Sequence, residues 1–235
     1  MAIRGALAIL LLTTACGAQT ATKPPKPPKP SEFPAASRPV AAIVSSRWSD
    51  EDSRDSANEA EEVMNRAGVK PGMTVADIGA GEGYYTIRLA FRVGEKGRVL
   101  AQDIIAETRN ALAERVTRER YDNVSVQLGT PDDPKLPANS FDRVFLIHMY
   151  HEIASPYAFL WHLRPSTKTG GRVVVVDANR PTNQHGTPPA LLRCEFASVG
   201  YEQVDFQVMP NAGGYLAAFE PRGERPAAKD IKVCK

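Results

Sequence analysis

Apolar and polar positions alternate with two periods along most of this chain, and the switches between them mark the elements. Ala60, Val63, Met64 and Ala67 recur at helical spacing over Asn58 to Ala67, and Gly68 stops that helix. Short apolar runs at 74–78, 98–102, 124–128 and 141–147 read as strands, as does 171–177, where four consecutive valines lie between Gly-Gly and Asp. Helical patterns separate them at about 84–92, 107–119, 156–163 and 190–199. Two final strands, 204–208 and 215–219, are joined by the turn Pro210-Asn-Ala-Gly-Gly214, too short for a parallel crossover. The pattern predicts an α/β fold: a seven-stranded, mostly parallel sheet between two helical layers, ending in an antiparallel hairpin.

The N-terminal residues break this pattern. Met1 to Arg4 gives a short basic start, Gly5 to Leu12 is apolar, and small residues lead to Cys16. The run falls far short of the ~20 residues that cross a bilayer as a helix, and it has the proportions of a secretory signal. A Cys after Leu-Thr-Thr-Ala resembles a bacterial lipoprotein signal, in which that Cys is acylated; a plain cleaved signal is the alternative. The lack of Asp after Cys16 implies the outer membrane under bacterial sorting rules. The expected location is therefore exported, on the periplasmic side.

Seven of the 19 prolines fall within residues 24–39, favouring an extended polyproline rod. The division expected is 1–16 signal, 17–44 Pro/Lys-rich linker, 45–222 domain and 223–235 tail. The formal charge of +2 is also uneven: residues 1–45 hold five basic side chains and one acidic, so the remainder is net −2. A faintly acidic domain gives no electrostatic footprint for nucleic acid. Beyond Cys16 only Cys194 and Cys234 remain, and an oxidising compartment permits them to pair or leaves Cys234 in a mobile tail.

The chemistry concentrates in Asp77-Ile-Gly-Ala-Gly-Glu-Gly83, a glycine turn between a strand and a helix. A dinucleotide fingerprint would need glycine at 84, where Tyr84 stands, and Asp77 and Glu82 are poor company for a pyrophosphate. The spacing D-x-G-x-G-x-G instead resembles the class I S-adenosylmethionine-dependent methyltransferases over about residues 49–220. That resemblance implies a Rossmann-like fold and S-adenosylmethionine as cofactor. Asp77, Gly79, Gly81 and Gly83 would then form the cofactor turn, and Asp103, at the end of the second strand, would accept the ribose hydroxyls. Asp132, in Gly129-Thr-Pro-Asp-Asp133, would meet the adenine. Within the family the likeness is nearest the small-molecule methyltransferases of the quinone-biosynthesis type.

The acceptor side is sought after strand four, in His148-Met-Tyr-His-Glu152. His148 is expected beside the cofactor, and His151 or Tyr150 facing the acceptor as the catalytic group. The His148-x-x-His151-Glu152 group with Asp177 invites a metal reading, but H-E-x-x-H spacing is absent and no further ligand converges in sequence, so no metal is expected. Trp48 to Asp55 and the loop 179–187, with Arg54, Asp55, Arg180 and His185, are candidates for the cleft wall. Trp161 and His162 read as packing. The expected partner is a small-molecule methyl acceptor, with membrane contact only through the lipid anchor; the alternative is an exported binding lipoprotein that keeps the pocket without turnover.

Overall fold

The computed structural model describes residues 27–43 and 51–235. Residues 1–26, with the signal and Cys16, and Trp48 lie outside the described residues. Seven strands form one sheet in the order β3-β2-β1-β4-β5-β7-β6. They are β1 (Thr74–Ile78), β2 (Arg98–Asp103), β3 (Val124–Leu128), β4 (Phe141–Ile147), β5 (Thr167–Asp177), β6 (Tyr201–Met209) and β7 (Gly214–Pro221). The pairs among β1 to β5 are parallel, whereas β7 runs antiparallel to both β5 and β6. Among the described residues six α-helices accompany the sheet: α1 (Glu51–Ser56), α2 (Glu59–Arg66), α3 (Tyr84–Val93), α4 (Ala106–Arg118), α5 (Pro156–Leu163) and α6 (Pro189–Ser198).

The four valines of β5 show why the sheet is buried on both faces. Val173 and Val175 join a core with Leu160, Leu163 and Phe196 of α5 and α6. Val174 and Val176 join a second core with Val63, Met64 and Leu89 of α2 and α3. Side chains alternate along a strand, so an unbroken apolar run supplies both layers at once. β5 starts four residues earlier than the valine run suggests, because Thr167 pairs with Phe141 before a register shift.

The expected boundaries need correction at both ends of the domain. The tail 223–235 is not mobile: Ala228 and Ile231 enter the first core, and Cys234 is bridged to Cys194 of α6. Trp161 donates to the Pro226 carbonyl at 2.8 Å, and the Arg225 guanidinium lies 3.4 Å from the Trp161 ring centroid. Apolar side chains spaced through a polar stretch, together with the bridge, anchor it. The described part of the linker is also docked. Phe33 packs in the core against Trp161, Arg38 pairs with the buried Glu195 at 2.9 Å, and the Ala41 amide donates to the His151 carbonyl at 3.2 Å. This strap is held by the few residues between its prolines that can pack or pair.

Candidate active site

The order β3-β2-β1-β4-β5 reverses direction between β1 and β4, and a ligand crevice is expected beyond the carboxyl ends of strands at such a point. A cleft of about 1210 Å³ opens there. It is larger than the roughly 300–1,000 Å³ of a single small-molecule pocket, which leaves room for two ligands side by side. The ends of β1 and β2 carry Asp77 and Asp103 to it, and the loop after β1 Gly79 and Gly81; loops after β4 and β5 carry His148, His151, Arg180 and His185. β1 and β4 are neighbours, so the two groups meet at the centre of the cleft, while β2 and β5, three strand spacings apart, set its outer ends about 14 Å from one another.

The glycine turn is shaped by its neighbours. Gly79 sits at φ +67°, and a Cβ there would come 3.1 Å from the Met149 side chain. Gly83, at φ +92°, starts α3 so close to α4 that a Cβ would meet Leu112 at 2.4 Å. Gly83 therefore serves helix packing and does not line the cleft, which corrects its expected role as a direct cofactor contact. Asp77 is buried and accepts from the Thr86 hydroxyl at 2.6 Å. Burial pushes its carboxyl up to about 6, against the opposing pull of the Thr86 bond and Arg54, with Asp103 adding to the rise.

Asp103 accepts from the Gly81 amide at 3.0 Å and the Ile105 amide at 2.9 Å, one on each oxygen. A carboxylate has about four acceptor positions, so capacity for two more donors remains. Beside it Gln102 lines the cleft, and its buried Nε2, packed against Gly129, has no hydrogen-bond partner among the described residues. Asp132 is a second correction: Thr130 and Pro131 line the cleft, and Asp132 does not. A bridge between Thr130 and Asp133 closes the loop, and the Asp132 carbonyl faces His162 Nδ1 at 3.0 Å.

Near the turn, Glu59 of α2 takes a bidentate pair from Arg54 at 2.6 and 3.1 Å and the Tyr85 hydroxyl at 2.9 Å, and it lies 3.4 Å from His148 Nε2. Burial alone would raise Glu59; His148 and Arg54 overcome that and hold it down at about 2. Arg54 lies over the Tyr84 ring, 3.8 Å from its centroid, and lines the cleft. Asp55 does not, being spent on Arg88 and the Tyr84 hydroxyl.

The two candidates of the segment after β4 separate cleanly. Tyr150 is fully buried and turned from the cleft, donating to Glu195 at 2.7 Å, with the Arg38 guanidinium 5.5 Å from its ring centroid. It is not an acceptor-facing group, because the 3-10 turn Tyr150–Glu152 points neighbouring side chains in different directions. His151 lines the cleft. Its Nδ1 lies 3.0 and 3.1 Å from the two oxygens of Asp177, which is itself fully buried and held by the Thr187 hydroxyl at 2.7 Å and the Ala178 amide at 2.8 Å. A carboxylate accepts only, so Nδ1 donates, and in the neutral ring Nε2 is the nitrogen with the lone pair.

Sequence reasoning missed one convergence. The loop after β5 brings His185 against His151, ring centroids 5.5 Å apart, and the ligand atoms of His151, Glu152 and His185 lie within 4.8 Å of one another. The signal was present in Gln184-His185-Gly186, but only the loop's fold aims it.

Known proteins share this fold. A family model described as "Methyltransferase domain" matches residues 69–213, more than half of the chain. The chain belongs to the methyltransferase-domain family. The ubiquinone/menaquinone biosynthesis C-methyltransferase UbiE of Hahella chejuensis is 25% identical over 171 residues, covering 72% of this chain and 64% of its own length. Its counterpart from Shewanella sp. strain ANA-3 is 28% identical over 63% of this chain and 55% of its own. The chain thus spans less than two thirds of either relative. A solved S-adenosylmethionine-dependent methyltransferase from Aquifex aeolicus superposes with a TM-score of 0.62 at 25% identity, covering 73% of this chain and 97% of that one. The [4+2]-cyclase SpnF has the same fold at 16% identity, TM-score 0.62, covering 83% of this chain and 90% of its own.

The cofactor of this methyltransferase domain is S-adenosylmethionine. The residues fit it: Asp103 has spare acceptor capacity at the end of β2, and the orphaned Gln102 amide beside it offers a buried donor. A buried polar group without a partner is costly in a finished site, so a ligand that satisfies it gains by binding.

Proposed function

We propose that this protein transfers the methyl group of S-adenosylmethionine to a small-molecule acceptor, outside the cytoplasm. The observation that carries the reading is one cleft with the Asp77–Asp103 cofactor turn on one side and the His151–Asp177 pair on the other. When bound, the cofactor supplies an electrophilic methyl on a sulfonium. Asp103 would accept the ribose hydroxyls, while Asp77, Gly79 and Gly81 would shape the methionine side, with His148 and Glu59 as its wall. His151 is the acceptor-side group: Asp177 fixes its ring, leaving Nε2 as the atom that acts on the acceptor side of the cleft. Met149, Ile153 and Phe159 give this end of the cleft an apolar wall. That suits an apolar acceptor, and the quinone-methylating relatives support an electron-rich ring bearing a hydroxyl.

The location is proposed from residues 1–16 and the acylation of Cys16. The Cys194–Cys234 bridge supports it, since such bonds persist in oxidising compartments. Among the described residues no helix is long and apolar enough to cross a membrane, so the lipid on Cys16 would be the attachment.

The test is calorimetric titration of the full chain with S-adenosylmethionine, S-adenosylhomocysteine and NAD, followed by a screen of hydroxylated aromatic acceptors for methylated product. Micromolar binding of both adenosyl ligands, none of NAD and product with an acceptor are expected. Binding without turnover on any acceptor would favour a binding protein; no adenosyl binding by folded chain would overturn the reading.

A further inference from the structure

We propose that His151, Glu152 and His185 form a divalent-metal site in the acceptor half of the cleft. Two imidazoles and one carboxylate are the donor set of an open transition-metal centre, in which three protein ligands leave a position for a further ligand. Their ligand atoms already lie within 4.8 Å of one another. Metal–ligand bonds of about 2.1 Å place donors roughly 3.4 Å apart in a tetrahedron, so closing the site takes a movement of about 1 Å by side chains alone.

The surroundings are built as a metal site's would be. A ligating histidine commonly gives its other ring N–H to a carboxylate, which fixes the tautomer and strengthens the ligating nitrogen. Asp177 does this for His151 at 3.0 Å, and is itself held by Thr187 and Ala178. Nε2 is thereby left as the ligating atom of His151. The remaining ligands are set by the backbone. Glu152 follows His151 in the 3-10 turn after β4, and His185 sits at φ +56°, a left-handed conformation uncommon for a residue other than glycine.

One segment clamps both ligand-bearing loops. In the strap, the Ala41 amide donates to the His151 carbonyl at 3.2 Å, and the Pro39 carbonyl accepts from the Thr182 hydroxyl at 2.6 Å, at the 3-10 turn just before His185. The strap thus holds the spacing on which the cluster depends. Arg180, which also lines the cleft, is the nearest charged side chain in sequence on the His185 loop and would favour an anionic group on the open position. The acceptor class that follows is a molecule with an ionisable hydroxyl or carboxylate, bound through oxygen to the metal.

Only this role rests on the methyl-transfer reading; the existence of the site does not. The test uses untagged full chain, stripped with chelator and titrated with Zn²⁺ or Co²⁺ alone, with S-adenosylhomocysteine affinity measured in parallel. One metal per chain is expected, with the visible bands of low-coordinate Co²⁺. His185→Ala and Glu152→Gln should each weaken metal binding at least tenfold and leave S-adenosylhomocysteine affinity within about twofold. A folded, S-adenosylhomocysteine-binding protein that takes up no stoichiometric metal overturns the site, as does binding unchanged in both variants. Metal binding with no S-adenosylhomocysteine binding would keep the site and remove the cofactor reading.

Discussion

At the scale of single residues, the cleft is governed by two carboxylates with different partners. Asp77 is pushed up to about 6 by burial, from 3.8 in the unfolded chain. A folded-state value above the unfolded one means that the native protein holds the proton more tightly. Ionised Asp77 therefore destabilises the fold above pH 6, by about 3 kcal/mol for a rise of this size, and this cost fades as pH falls from about 6 to below 4. Asp77→Asn should raise stability in urea at pH 8, lose that advantage by pH 4, and weaken binding of the cationic cofactor; an unchanged pH 8 midpoint would contradict the burial argument. Asp103 differs in having amide donors on both oxygens. Asp103→Ala should cost about 1.5–3 kcal/mol of cofactor affinity, the scale of hydrogen bonds to a charged group, and calorimetry showing no loss would remove the ribose role. The position of these residues at the cleft was legible because their spacing is tied to strand ends. Tyr150 against His151 was not: which of two adjacent side chains faces a cleft depends on the turn, and the turn is set by contacts with Glu195 and Asp177 far along the chain. Asp132 failed for the same reason, since its loop closes through the Thr130–Asp133 bridge.

At the scale of elements, periodicity carried the strands and helices of the sheet, because each repeats one environment over several residues. β3, β4 and α5 lie where the pattern places them, and β6 and β7 form the expected antiparallel pair. The strap has no such repeat. Its prolines suppress regular structure, while its attachment rests on isolated residues, chiefly Phe33 and Arg38. Arg38 and Glu195 are almost wholly buried, and Tyr150 donates to the same carboxylate. Removing the arginine leaves a buried charge without its partner, which costs about 3–5 kcal/mol. Arg38→Ala should lower unfolding free energy on that scale, while Arg38→Ala combined with Glu195→Gln should recover part of the loss. A double variant as unstable as the single would mean that strap packing, rather than the ion pair, carries the energy.

At the scale of the whole molecule, the strap and the C-terminal tail are brought to the same side of the fold. Phe33 of the strap and Arg225 of the tail both meet the Trp161 ring, and Cys234 ties the tail to α6, whose Glu195 holds Arg38. The helix that receives the strap is thus the helix cross-linked to the tail. A bridge between residues 40 apart removes conformational freedom from the unfolded chain, about 4 kcal/mol in the loop-entropy account. Cys194→Ser with Cys234→Ser should therefore lower stability by about 2–4 kcal/mol. Because Ala228 and Ile231 lose their anchor with the bridge, the tail should also become open to protease near Arg225 before the sheet unfolds. The two effects separate by measurement: equilibrium unfolding reads the cross-link, and limited proteolysis under native conditions reads the local opening. Reductant on the unmutated protein should reproduce both. If reduction changes neither, the apolar contacts of the tail suffice alone, and the bridge no longer supports an oxidising home for this enzyme.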